Sequence, residues 1–305
     1  MNESITQRVA RTSNIKKEFF TVVPPVPKSV KIEITGHCDL RCDFCAVSYK
    51  KRINGNIDEQ LLYRLLKEVK EAGVEEVGLF WMGEPFINKN LAKYIRYAKD
   101  IGIKYVFITT NGRLANAKRI KEVFESGLDS IKFSINAPNK VAFENTTGVD
   151  CYNLVLENIK LAKQVRGKKT SPAIYSSSVY DPREGDQYNE AHNLVSPYVD
   201  KHYPLRLYGN KTYKKNDTAD SYKYEENRDL KSMLPCWSLF IEPHISYDLF
   251  MSACFCDFNP NLFMADLKQM SFMEGWHSPK FQLLRKCHLE KDILGTPCQS
   301  CIAYQ

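Results

Sequence analysis

The chain has 305 residues, with 43 Lys and Arg against 36 Asp and Glu, a formal charge of +7. Charged residues at 26% and apolar ones at 43% are ordinary globular proportions, which excludes collagen-like, low-complexity and wholly disordered chains. No apolar run approaches the ~18 residues of a membrane span. The opening MNESITQRVARTSNIKKEFF lacks the apolar core of a signal peptide, so the sequence predicts a cytoplasmic protein with no membrane partner. The positive surplus suits a solvated Lys-rich surface, or one that draws in an anionic substrate. No stripe of Arg and Lys interleaved with aromatics points to nucleic acid.

In chain order, an extension over residues 1–27 precedes a segment at 30–35 that alternates like a half-buried strand. Cysteines 38, 42 and 45 follow as CDLRCDFC. A helix is expected over 58–72, with Leu61, Leu62, Leu65, Leu66 and Val69 on one face, Asp58 as cap and Gly73 as stop. Strands at 76–81, 105–109, 130–135, 173–179 and 204–208 then alternate with helices at 90–101, 115–126, 152–165 and 189–199. Six β/α units predict an α/β fold with a right-handed parallel sheet over 28–210. Residues 211–234 are polar and charged and read as a linker. A smaller domain is expected over 235–305, with a strand at 240–245, a turn at Tyr247-Asp248 and a second strand ending near Cys254.

Ten cysteines are the unusual feature. Disulfide scaffolds are mostly short and secreted, whereas closely spaced cysteines in a reducing compartment more often ligate zinc or iron–sulfur clusters. Cys38, Cys42 and Cys45 form a C-x3-C-x2-C triplet. Zinc structural sites close with four protein ligands, and His37 is adjacent without completing a set at normal spacing. A [4Fe–4S] cluster on three cysteines instead keeps one iron open to an outside chelator. Cys236, Cys254 and the pair Cys298-x2-Cys301 offer four more thiolates, which suit zinc or a second cluster. Cys151 and Cys287 stand apart as small core or surface residues.

CDLRCDFC resembles the signature of the radical S-adenosylmethionine superfamily, with Phe44 in the aromatic position. That resemblance implies a partial (β/α)6 barrel and a [4Fe–4S] cluster on Cys38, Cys42 and Cys45. The open iron would chelate S-adenosylmethionine, whose cleavage gives methionine and a 5′-deoxyadenosyl radical. Gly83-Glu84-Pro85 is similar to the family's GGEP motif, with Met82 replacing its first Gly. Thr110-Asn111-Gly112 matches the common TNG, and Ser134 and Asn136 match positions that touch the ribose or carboxylate. The implied S-adenosylmethionine contacts are therefore Phe44, Gly83, Glu84, Pro85, Thr110, Asn111, Ser134 and Asn136.

The C-terminal stretch resembles the auxiliary-cluster extensions called SPASM and Twitch. Cys254 is followed three places on by Asp257, and a single linking helix is expected around Glu274-Gly275-Trp276-His277-Ser278, Phe281 and Leu284-Arg285. The Twitch form implies a second [4Fe–4S] cluster on Cys236, Cys254, Cys298 and Cys301. Asp248-Leu249 stands where the hairpin usually has Asp-Gly. Cys256 is left over as a structural residue, an alternative ligand or the hydrogen donor of a radical epimerase.

An auxiliary cluster with no open iron suggests a second one-electron step. The resemblance then implies net oxidation of a sugar- or cyclitol-type alcohol, with an electron donor such as flavodoxin or ferredoxin. Peptide-modifying relatives are the alternative, but they often carry a leader-recognition domain of roughly 80–90 residues. Only 37 residues precede Cys38, so no such domain is expected and a small polar substrate, phosphorylated or nucleotide-linked, is favoured. Arg206, beside Asn210, is a candidate substrate contact or base, or a member of a structural salt bridge. A zinc-binding interaction module is the non-enzymatic alternative.

Overall fold

The computed structural model describes residues 16–45, 47, 52–180, 187–206, 234–257 and 261–300. Six strands and their helices alternate: β1 (Ser29–Ile32), α1 (Glu59–Ala72), β2 (Glu76–Gly78), α2 (Leu91–Asp100), β3 (Tyr105–Thr110), α3 (Ala117–Glu125) and β4 (Ser130–Ser134). They continue through α4 (Lys140–Thr147), α5 (Tyr152–Arg166), β5 (Ala173–Tyr180), α6 (Gln187–Val195) and β6 (Lys201–Arg206). α1 shows how locally these elements are written. Asp58 caps it by accepting from Leu61 N at 3.0 Å, Leu62, Leu65, Leu66 and Val69 are buried, and Gly73 closes it at φ 94°, a left-handed conformation that costs glycine little.

Strands β1 to β6 lie side by side in chain order and all parallel. Alternate residues such as Val30, Ile32, Val77, Val106, Ile108, Ile131 and Phe133 are buried beneath the helices, which leaves the other face of each strand for polar groups. The result is the parallel sheet expected from the alternation. No helix among the described residues is long and apolar enough to cross a membrane.

The C-terminal segment adds α7 (Ser238–Ile241), β7 (His244–Ile245), β8 (Phe250–Ser252), β9 (Phe263–Asp266), α8 (Phe272–Trp276) and α9 (Pro279–Leu289). β7 pairs in parallel with the free edge of β1, and β8 and β9 extend the sheet antiparallel, giving one nine-stranded sheet. The strand expected at 240–245 is corrected. Leu239 N and Phe240 N bond back to Cys236 O and Trp237 O, so 238–241 is a buried helical turn and only His244 and Ile245 pair. A short run of apolar residues buried all round has the same pattern in either structure. The single linking helix is likewise two, α8 and α9. Ser278 caps the second by accepting from Phe281 N, and Pro279 opens it, where its missing N–H costs nothing.

Candidate functional site

The three cysteines of the first triplet lie on the loop that leaves β1. Its backbone is held from two sides. Arg41 N and Asp43 N donate to Thr147 O (2.9 Å) and Thr146 O (2.8 Å), carbonyls at the end of α4 that have no partner within the helix. On the other side Gly36 N donates to Gly55 O at 2.8 Å. Cys45 N returns to Cys42 O at 3.0 Å, closing the turn that carries Phe44. Burial pushes the Cys38 thiol up to about 12 and Cys42 higher still, and each feels the charge of Cys45.

Among the described residues no group of three Cys, His, Asp or Glu side chains is gathered around one ion. A [4Fe–4S] cluster spreads its ligands over separate irons, and three thiols close together on one loop are the kind of donor set it takes. Binding iron would also reverse the effect of burial, because a coordinating thiol gives up its proton to the metal.

Beyond β2 the chain bends through Trp81, Met82 and Gly83. An added Cβ at Gly83 would stand 2.0 Å from Thr35 O and 2.8 Å from His37 O, so only glycine allows this backbone to lie against the cysteine loop. Glu84 N donates to His37 O at 2.8 Å. The Glu84 carboxylate, 2% exposed, accepts from Phe86 N (3.0 Å) and Thr110 Oγ1 (2.7 Å) on Oε1, and from Asn111 N (2.7 Å) on Oε2. Burial nevertheless raises it to about 7. Pro85 is buried at the start of a 3₁₀ turn, Pro85–Ile87.

Thr110 ends β3 and Asn111 follows it, both directly beside this carboxylate. Asn111 Nδ2 donates to Asp39 Oδ1 at 2.7 Å and lies 3.9 Å from Cys38 Sγ. Arg113 Nη1 reaches Asp39 Oδ2 at 3.2 Å. Asp39 and Arg113 were not singled out from the sequence, although Asp39 lies inside the C-x3-C spacing. Ser134 ends β4 opposite Ser177. Asn136 Oδ1 accepts from Val179 N at 3.0 Å, continuing the ladder between β4 and β5 past its last strand residue.

Of the C-terminal cysteines, Cys254 and Cys256 are in contact. Cys254 Sγ accepts from Cys256 N at 3.3 Å, and a hydrogen bond with the Cys256 side chain holds the Cys254 thiol below its usual range against burial. Cys236 N donates to His288 Nδ1 at 3.2 Å, and Cys298 sits in the 3₁₀ turn Pro297–Ser300. Cys301 and Asn210 lie outside the described residues, as does the side chain of Arg206, which ends β6 opposite Tyr180. Asp257, the residue expected three places after Cys254, is buried and accepts from Ser252 Oγ (3.0 Å) and Leu262 N (2.9 Å). Its role is to shape the loop.

Two residues that carried no sequence signal join the C-terminal segment to the barrel. Trp81 Nε1 donates to Phe255 O at 2.9 Å, tying the loop of Cys254 and Cys256 to the end of β2 beside Gly83. Arg52 pairs with Glu33 at 2.8 Å and Asp248 at 3.5 Å, and its guanidinium lies over Trp81 and Tyr247.

Known proteins resemble this chain. The chain is 31% identical over 209 residues to an uncharacterized protein of Methanocaldococcus jannaschii, covering 65% of each. It is 34% identical over 137 residues to a probable GTP 3′,8-cyclase of Sulfurisphaera tokodaii, covering 44% of this chain and 42% of that one. The matches thus span less than two thirds of these relatives. Among solved structures, Streptococcus suis SuiB bound to its precursor peptide SuiA superposes with a TM-score of 0.70 at 16% identity, over 95% of this chain and 76% of that one. BtrN in complex with AdoMet and 2-DOIA gives 0.56 at 17%, over 87% of each. Those likenesses establish the fold. Residues 32–194, more than half of the chain, match a family that uses S-adenosylmethionine and a cysteine-bound [4Fe–4S] cluster, and the chain belongs to the Radical SAM superfamily.

Proposed function

We propose that Cys38, Cys42 and Cys45 hold the [4Fe–4S] cluster, and that the enzyme carries out a net two-electron oxidation of an alcohol on a small sugar- or cyclitol-type substrate. When bound, the cluster and S-adenosylmethionine supply a one-electron cleavage that yields a 5′-deoxyadenosyl radical able to take hydrogen from an unactivated C–H bond. The protein's own residues hold and orient. Gly83 lets the backbone lie against the cysteine loop, leaving room there for the methionine end of the cofactor. Glu84 Oε2 accepts a single protein bond and keeps an acceptor site for an ammonium, and a cation there would favour the carboxylate that burial disfavours. Phe44, Pro85, Thr110, Ser134 and Asn136 complete the surroundings proposed for the cofactor.

Cys236, Cys254, Cys298 and Cys301 are proposed to hold a second [4Fe–4S] cluster, as in a Twitch extension. Such a cluster, with no open iron, would accept the second electron from the substrate. The observation that carries this reading is the Trp81–Phe255 hydrogen bond, which keeps the second cysteine loop against the strand end beside Gly83. Cys256, bonded to Cys254, is placed as a support of that loop.

The test is anaerobic reconstitution with iron and sulfide. The wild-type chain should take up two clusters, Cys38→Ala/Cys42→Ala/Cys45→Ala should keep one and lose 5′-deoxyadenosine formation, and Cys254→Ala/Cys298→Ala should keep only the cluster that cleaves the cofactor. A substrate deuterated at the carbinol carbon should pass its label to 5′-deoxyadenosine. GTP belongs in the same panel because of the relatives named probable GTP 3′,8-cyclase, and an 8-cyclised product from it would replace the oxidation reading.

A further inference from the structure

The amide of Asn111 has four hydrogen-bonding positions, two donor and two acceptor. Its Nδ2 gives one hydrogen to Asp39 Oδ1 at 2.7 Å and stands 3.9 Å from Cys38 Sγ on the other side. Its Oδ1 accepts from Arg113 N at 2.9 Å, and its backbone N is spent on Glu84 Oε2 at 2.7 Å. The orientation of the amide is forced. Flipping it would set an oxygen against the Asp39 carboxylate and an N–H against the N–H of Arg113. Asp39 is itself fixed, since Arg113 Nη1 reaches both its Oδ2 and its backbone oxygen at 3.2 Å. A charged acceptor thus pins one hydrogen of the amide, and the planar NH₂ group then aims the other toward the Cys38 sulfur.

We infer that Asn111, held by Asp39 and Arg113, is a positioning residue that donates to the Cys38 sulfur and raises the reduction potential of the cluster this sulfur holds. The inference rests on the proposed ligation by Cys38. Its basis is general: reduction places extra negative charge on a cluster and its thiolates, and an N–H directed at a thiolate stabilises that charge. It also changes what the residue is for. With both side-chain donors engaged within the protein, Asn111 serves the cluster side of the site, and the second acceptor position of Oδ1 is what it has left for S-adenosylmethionine.

The test is an anaerobic redox titration of the holoenzyme, followed by electron paramagnetic resonance of the reduced cluster whose signal changes on adding S-adenosylmethionine. Asn111→Leu, similar in volume and without donors, should assemble the cluster and titrate at a more negative midpoint, a several-fold loss in the reduction equilibrium. Tenfold corresponds to about 59 mV for a one-electron couple. Asp39→Asn, which keeps an acceptor for Nδ2, should stay closer to wild type than Asn111→Leu does. A fully loaded Asn111→Leu enzyme with the wild-type midpoint overturns the inference. Should that variant fail to assemble, wild-type protein carrying ¹⁵N on the asparagine side-chain amide decides: a ¹⁵N hyperfine coupling to the reduced cluster supports the contact, and its absence removes it. A wild-type chain that takes up no iron at the triplet is a different failure, which removes the ligand reading beneath the inference and the inference with it.

Discussion

Single side chains in this protein are most informative where they are buried and polar. Glu84 is one: its carboxylate gathers Phe86 N, Thr110 Oγ1 and Asn111 N, joining the ends of β2 and β3 before any ligand arrives. His202 on β6 is another. Ser176 Oγ lies 2.7 Å from its Nδ1, Ser178 Oγ 3.2 Å from its Nε2, and Tyr188 of α6 stacks on the ring. Burial, aided by His192, lowers its pKa from 6.5 to about 4. Unfolding frees the ring to take a proton below pH 6.5, so between 6.5 and about 4 the unfolded chain binds the extra proton. Stability from this group is complete above pH 6.5 and is lost as pH falls toward 4. Replacing His202 by Gln should flatten the acid limb of denaturant-derived stability by up to about 1.4 kcal/mol per pH unit. An unchanged slope would show that the ring titrates freely in the fold.

At the scale of elements, the hairpin between β7 and β8 shows how burial overrides local preference. Its turn places Leu249 at φ 66°, where glycine is the usual residue. Leu249 N bonds to Ser246 O at 2.9 Å, Phe250 N bonds to Ser246 Oγ at 3.0 Å, and the Leu249 side chain is fully buried. Left-handed backbone costs a non-glycine residue roughly 1–2 kcal/mol, less than the roughly 1.5–3 kcal/mol gained by burying a leucine. Leu249→Ala keeps the strain and loses the packing, and should lower unfolding stability by about 2–4 kcal/mol. Leu249→Gly should be no worse, because relief of the strain offsets the additional methyl. Urea midpoints for the two variants check the order. α4 makes a related point: Asn139 caps it by accepting from Ala142 N, yet it had no counterpart in the predicted elements, and its last carbonyls hold the cysteine loop.

Over the whole molecule, the C-terminal segment is joined to the barrel by the sheet and by polar contacts at several points. Glu68 of α1 accepts from Phe272 N at 2.8 Å, and Trp276 Nε1 donates to Pro25 O at 3.0 Å. Arg285, buried with no carboxylate partner among the described residues, donates to Leu239 O (2.9 Å), Trp276 O (2.8 Å) and Val22 O (3.3 Å). Its guanidinium lies 4.1 Å from the Trp276 ring centroid. Burial pulls its pKa to about 9. These bonds join the segment before β1 to α7, α8 and α9. A chain ending at Leu234 would bare the β1 edge that pairs with β7, together with apolar surface now under α8 and β8, and open edges of this kind invite association. It should express as aggregate, and a monodisperse monomer on size-exclusion chromatography would contradict this account.

The sequence by itself determined the alternation of six strands with helices, because these segments carry their own period and some their own stop signals, as Asp58 and Gly73 do for α1. It also marked the cysteine triplet by its close spacing, and Gly83-Glu84-Pro85 through the resemblance to the family's motif. Periodicity could not separate strand from helical turn at 238–241, where every side chain is buried. Only the tertiary structure decided that β7 joins β1, that Trp81 reaches Phe255 and that Asp39 with Arg113 aims Asn111 at Cys38. Each of these depends on groups far apart in the chain, and a long-range pairing leaves no period in the local sequence for a reader to find.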